Sequence, residues 1–263
     1  TLIPIRASAT MFQHAPSAVA RLPLAARAEA LPALGGGQLH EIHAAADDWA
    51  AALAFAFAAI DAAGRRPVML VHAARQAVLS MQPYGEGLIG LGLDPARLVL
   101  VEARDGTGML RAGLEGARCP GLAAVVLASW RRFPEYALTA SRRLVLAAER
   151  SRVPVIMLRG DAEPRPSAAH QRWLVRSARA SPREANAPGL PALDVELQRR
   201  RGGASGGRWR LEWNDQDGCY REARNTTATQ SAGIHDTPLS GAVVHLSAVR
   251  TGLAGAAAAS RAA

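Results

Sequence analysis

Residues 136–158 read Tyr-Ala-Leu-Thr-Ala-Ser-Arg-Arg-Leu-Val-Leu-Ala-Ala-Glu-Arg-Ser-Arg-Val-Pro-Val-Ile-Met-Leu. The stretch from Tyr136 to Arg152 patterns as a helix, with Leu144, Val145 and Ala148 on one side. Val153 to Leu158 is a short apolar run of strand type. Moving outward toward the N-terminus, the same pairing recurs. Leu122 to Leu127 is a second apolar run, preceded by a helix carrying Met109, Leu110 and Leu114 that Asp105 or Thr107 can cap. Leu98 to Val101 and Val68 to Val71 are two more runs. Before them, Leu53, Phe57 and Ile60 recur at i, i+4 and i+7, as in a helix that Asp47 or Asp48 begins and Gly64 ends. Gly35-Gly36-Gly37 turns the chain into a first strand at Leu39 to His43. Compact apolar runs are strands covered on both faces, and helices between them are crossovers of a parallel sheet. The expected class is α/β, a mostly parallel sheet flanked by helices.

Beyond Gly160 the pattern changes. Pro164 and Pro166 mark a loop, Trp173-Leu174-Val175 suits another strand, and Pro182 to Pro191 is again loop. Leu193 to Gln198 and Trp209 to Trp213 alternate with period two and form a β-hairpin whose tip is basic and glycine-rich. From Arg224 onward Thr, Ser, Ala and Gly dominate without periodicity. The expected organisation is a disordered segment at 1–30, an α/β core at 31–160, a loop and hairpin extension at 161–220, and a low-complexity, disordered tail at 221–263.

Composition narrows the function classes. The chain has 263 residues and is 49% hydrophobic but only 5% aromatic, so its core is aliphatic. The formal net charge is +9, and all 31 of its lysine-plus-arginine residues are arginine. That balance suits a polyanion or an acidic protein surface. Cys119 and Cys219 are too few for a disulfide framework or a zinc site. His40 and His43 point to opposite faces of a strand, which argues against a shared metal. No run approaches the ~18 apolar residues of a membrane span, and the expected location is the cytoplasm.

The stretch Gly37 to Arg159 resembles the core of RecA-type proteins. From Leu31 to about Trp213 the chain more closely resembles the ImuA family of RecA-related bacterial proteins. The residues that carry the likeness are Gly-Gly-Gly-Gln-Leu-His-Glu-Ile-His (35–43), Gly-Leu-Asp-Pro-Ala-Arg-Leu-Val-Leu-Val-Glu-Ala (92–103), Leu-Thr-Ala-Ser-Arg-Arg-Leu (138–144) and Arg-Trp-Arg-Leu-Glu-Trp (208–213). Their order and spacing are specific together. The resemblance implies a RecA-like fold and a part in damage-induced, error-prone translesion synthesis. It also implies work beside an ImuB-like protein, an inactive relative of Y-family polymerases, and an error-prone replicative-type DNA polymerase, with DNA as a further contact.

A P-loop needs glycine amides around the phosphates, a lysine on the β/γ-phosphates and a hydroxyl on Mg²⁺. Here Glu41-Ile42-His43 runs into Ala44-Ala45-Ala46-Asp47-Asp48-Trp49-Ala50-Ala51. By ungapped comparison, Trp49 stands where a glycine is needed, Ala50 where the lysine belongs and Ala51 where the Ser/Thr belongs. Asp47 and Asp48 place negative charge where a helix N-terminus would attract phosphate. Ala128 stands where a Walker B aspartate should close its strand, and His72 to Arg75 holds no catalytic glutamate. The sequence therefore predicts a chain without P-loop catalysis and without a cofactor. Its candidate contacts for DNA or a partner are Arg131 and Arg132, Arg142 and Arg143, and Arg199, Arg200 and Arg201. Two alternatives remain open at this point: a divergent RecA/RadA-type ATPase, and a general DNA-binding module.

Overall fold

The computed structural model describes residues 34–60, 65–74, 84–91, 93–183, 187, 189–203 and 206–223. The segments expected to be disordered, 1–30 and nearly all of 221–263, lie outside the described residues, as do Gly64 and Arg75.

Five parallel strands build the core: β1 (Leu39–Ala44), β2 (Val68–Ala73), β3 (Leu98–Ala103), β4 (Ala124–Trp130) and β5 (Val155–Gly160). Between them run α1 (Trp49–Ala59), a short α2 (Gly85–Gly90), α3 (Gly106–Ala117) and α4 (Leu138–Ser151). Four further strands follow: β6 (Gln171–Ala178), β7 (Ala192–Arg200), β8 (Arg208–Asn214) and β9 (Cys219–Glu222). All nine form one sheet in the order β3-β2-β4-β5-β1-β6-β7-β8-β9. β6 joins β1 in parallel, and β7, β8 and β9 add in antiparallel fashion. The α/β class expected from the sequence, a mostly parallel sheet flanked by helices with a C-terminal hairpin extension, is the fold observed.

The expected hairpin is β7–β8, but it does not stand alone. β6 splices it to the parallel core, and β9 flanks it on the outer side. Alternation along these strands explains the placement. Trp173, Val175, Leu193, Val195, Leu197, Leu211, Trp213 and Tyr220 face one core, which they share with Ile42, Phe55, Val126 and Ile156. Rings continue this contact across the sheet: Phe55 lies 5.6 Å from Trp173 and Trp173 lies 5.6 Å from Trp209, centroid to centroid. The sheet's other face carries a second core, in which α3 and α4 cover Leu39, Val71, Val125, Leu127, Val155 and Met157.

Three local expectations change. α1 shows no single buried stripe: Trp49, Ala51, Ala52, Ala54, Phe55, Ala56, Phe57 and Ala58 are all buried, while Leu53 is only partly so. A helix that is apolar all round is one that other elements surround, and no charged residue occurs from Trp49 to Ile60. Asp48 occupies the cap position of α1 without capping it, for a reason given below. α4 begins at Leu138 rather than Tyr136, which frees the Tyr136 side chain for another role. At its far end Arg152 adopts a left-handed conformation (φ 65°), the geometry that lets a helix stop and the chain turn into β5. Asp105 caps α3 as expected, its carboxylate accepting from the Gly108 amide at 2.7 Å.

Candidate functional site at the carboxyl edge of the sheet

In an open parallel sheet, ligands sit beyond the carboxyl ends of the strands. Here that edge is formed by Ala44, Trp130 and Gly160, which stand side by side because Gly160 pairs with both neighbours in register. Two backbone bonds stitch the strand ends together: the Arg131 amide donates to Gly160 O at 2.7 Å, and the Asp161 amide to Ala44 O at 2.8 Å. All three side-chain positions point toward α1, whose first residue is Trp49. Gly160 matters because it has no side chain. A Cβ there would lie 1.8 Å from Cζ3 of Trp130, so the indole of Trp130 lies flat across the glycine. The ring reaches Trp49, and the two indoles meet edge to face at 5.0 Å between centroids and 78° between planes. Both are buried, at 6% exposure each. At this edge of the sheet, then, two tryptophans pack against each other beside the turn from β1 to α1.

The residues around the turn follow the same logic. Ala44 is buried at the end of β1, and Ala46–Asp48 form one turn of 3-10 helix. Asp47 is exposed. Asp48 reaches across to the end of β6, where it accepts from the Ser177 amide at 2.8 Å and from the Ser177 hydroxyl. That second partner is why Asp48 leaves the start of α1 uncapped. Ala50 is exposed and Ala51 buried. Ala128 is not the last residue of β4, because the strand continues through Ser129 to Trp130. His72 and Ala73 close β2.

The arginine pairs do not converge. Arg131 and Arg132 are exposed at the carboxyl edge, and Arg131 (φ 57°) faces Asp161 at 3.5 Å. Arg142 and Arg143 lie exposed on α4. Arg199 and Arg200 pair with Arg172 and Gln171 at the start of β6, which is the opposite edge of the sheet. Arg199 is also half-buried and occupied, donating to Ser167 O at 3.2 Å and Ala169 O at 2.8 Å. It serves as a structural tie rather than a free contact. Arg200 and Arg201 are exposed.

Sequence reasoning missed a buried polar cluster on the α4 face of the sheet. Tyr136 donates from its hydroxyl to Glu41 Oε1 at 2.8 Å, and Arg172 Nε donates to Glu41 Oε2 at 2.7 Å. His43 Nε2 stands 3.8 Å from the same carboxylate, while its Nδ1 contacts Ala162 O at 3.2 Å. The Arg159 guanidinium lies 5.7 Å from the Phe133 ring centroid and 5.8 Å from that of Tyr136. Burial opposes ionisation of Glu41, but the neighbouring polar groups of His43, Ser167 and Arg172 and the Arg172 charge outweigh it and hold its pKa at about 2. Burial, together with the neighbouring Glu41 charge, pushes the Tyr136 hydroxyl well above its usual range. Neither group changes its protonation near neutrality, so their chemistry is to fix β1, β5 and β6 to the start of α4. The available signal was a carboxylate in the middle of a strand that enters the core, which demands a partner. On the other face, His40 Nε2 donates to Gly35 O at 3.0 Å, so the two histidines do point apart. Among the described residues no group of three or more His, Cys, Asp or Glu side chains is placed to hold a metal.

No family model matches the chain. Over 159 residues it is 36% identical to Protein ImuA of Caulobacter vibrioides strain NA1000 / CB15N, a match covering 56% of this chain and 62% of that protein. Over that span the chain is similar to Protein ImuA. Protein ImuA of the Caulobacter vibrioides strain ATCC 19089 / CIP 103742 / CB 15 matches with the same identity and coverage. The likeness to the ImuA family carried by the four motifs is thus borne out, over 62% of the length of these curated relatives. Among solved structures, the RadB recombinase is similar in chain trace, with a TM-score of 0.48 and 14% identity over 70% of this chain and 90% of that one. In the described residues no helix is long and apolar enough to cross a membrane.

Proposed function

We propose that this chain is a non-catalytic, RecA-shaped accessory protein of damage-induced, error-prone translesion synthesis. It acts by binding protein partners, an ImuB-like inactive polymerase first among them. The observation that carries the reading is the pair of tryptophans at the carboxyl edge. Trp130 lying over Gly160 and against Trp49 fills the space beside the turn from β1 to α1. A phosphate entering there would have to expel two buried indoles and then meet Asp47 and Asp48. The frame that would hold a nucleotide is meanwhile kept at full strength, with two apolar cores and an unbroken sheet. Keeping the frame while filling the site is the economy of a binding scaffold.

Two measurements test this. Equilibrium titration of labelled ATP with Mg²⁺ is expected to give no saturable binding, and micromolar binding would overturn the non-catalytic reading. Co-expression with the ImuB-like protein of the same bacterium is expected to give a complex that survives purification. Absence of that complex at any salt concentration would remove the accessory role.

A further inference from the structure

The second half of α4 and the end of α3 bound a groove of about 630 Å³, away from the carboxyl edge. Its walls are Leu114 of α3, Arg118 just past the end of α3, Pro120, and Arg143, Leu146, Ala147, Arg150 and Ser151 of α4. Spacing explains this surface. Arg143, Leu146, Ala147 and Arg150 fall at i, i+3, i+4 and i+7, so they form one stripe, in which Ala147 is the buried floor and joins Leu144 and Ala148 in the core. Leu146 is 54% exposed, an unusual state for a leucine at the centre of a concave wall. Three arginines rim the groove and no acid lines it. Arg118 is paired with Glu115 of α3, but among the described residues neither Arg143 nor Arg150 meets a carboxylate.

We infer that this groove docks an acidic amphipathic helix of a partner protein, an inference that rests on the accessory role and gives it a surface. Charge complementarity selects the occupant. Arg143 and Arg150 are seven residues apart on α4, roughly 10 Å along the axis. They call for two carboxylates about two turns apart on the incoming helix, with a leucine-sized side chain between them against Leu114, Leu146 and Ala147. Two helices packed side by side leave a trough that accepts a third helix by ridges into grooves. Nucleic acid fits less well. The arginines are separated by apolar side chains that a phosphate backbone would leave bare, and no aromatic ring lines the groove for base stacking.

The probe is a fluorescein-labelled helical peptide with glutamates at i and i+7 and leucines at i+3 and i+4, titrated by anisotropy against the full chain. Saturable binding is expected, weakened at least about tenfold by Leu146→Asp and by the double change Arg143→Glu, Arg150→Glu. The double variant should instead prefer the peptide whose glutamates are replaced by lysine. These positions are exposed, and thermal melts matching the parent chain establish that the variants fold. Failure of the peptide to bind, or binding that ignores all three substitutions, overturns the proposal. So does loss of duplex-DNA binding, in place of peptide binding, in the same variants. Co-purification of the Leu146→Asp chain with the ImuB-like protein separates the two levels. A complex that persists in this variant sinks the groove and spares the accessory role, whereas a parent chain that never forms the complex sinks the role itself.

Discussion

Glu41 shows how one side chain can hold several elements at once. Its carboxylate is 2% exposed and receives Tyr136 from the approach to α4 and Arg172 from β6. Removing its charge leaves Arg172, itself only 12% exposed, without its counter-ion. Glu41→Gln is therefore expected to cost about 3–5 kcal/mol in a urea titration at neutral pH. The pH dependence follows from the depressed pKa. Because the folded value of about 2 lies below the ordinary value of 4.5, the Glu41 contribution is full above pH 4.5 and fades as pH falls toward 2. The gap between parent and variant should narrow across that window alone. His40 acts at higher pH. Burial holds its pKa at about 4, down from 6.5, so stability is lost as pH falls between those values, and Glu41→Gln should leave that limb intact. Disappearance of the upper limb in Glu41→Gln would refute the assignment.

At the scale of elements, the helices differ in how their starts are secured. Asp105 places its carboxylate on the Gly108 amide and closes the first turn of α3. Thr107 lies inside the helix and is exposed. Asp105→Ala should lower stability by about 1 kcal/mol, while Thr107→Ala should change it little. The midpoint of denaturant unfolding reads both, and equal losses would contradict the capping geometry. α1 and α4 lack side-chain caps, and each is fixed by tertiary contacts. α1 packs on the sheet against Trp173 and the apolar residues around it, with Asp48 spent on Ser177. α4 is anchored through Ser141, whose hydroxyl receives the Ala168 amide at 3.0 Å.

For the whole molecule, the question is whether the parallel core can stand without β6–β9. β1 has β5 on one side and β6 on the other, so it is an interior strand only while β6 is present. Trp173, Val195, Leu211 and Tyr220 belong to the same core as Ile42 and Phe55. A chain ending after Gly160 would bare the edge of β1 and the apolar face of α1 together. It is expected to be insoluble or to lose cooperative unfolding, as followed by circular dichroism and calorimetry. A soluble fragment with a sharp thermal transition would show that the extension is an accessory rather than a wall of the core.

The sequence alone carried the alternation of apolar runs and helices, and with it the fold class, because burial on two faces and crossover helices leave a period that neighbouring residues display. It also displayed the residues of the turn after β1, since Trp49, Ala50 and Ala51 can be read position by position. The tertiary structure decided the rest. That Trp130 lies across Gly160 onto Trp49, that Asp48 answers Ser177 rather than capping α1, and that Glu41 collects Tyr136 and Arg172 from 95 and 131 residues away are facts of chain crossing. No local pattern encodes them, because each depends on which strand the sheet order sets beside which. The same holds for the arginines. Arg131, Arg143 and Arg199 look alike in sequence, yet the fold sends one to the carboxyl edge, one to a groove and one to a backbone tie on the opposite edge. An arginine's role is set by the carbonyls and carboxylates that surround it, and only the packed chain supplies those.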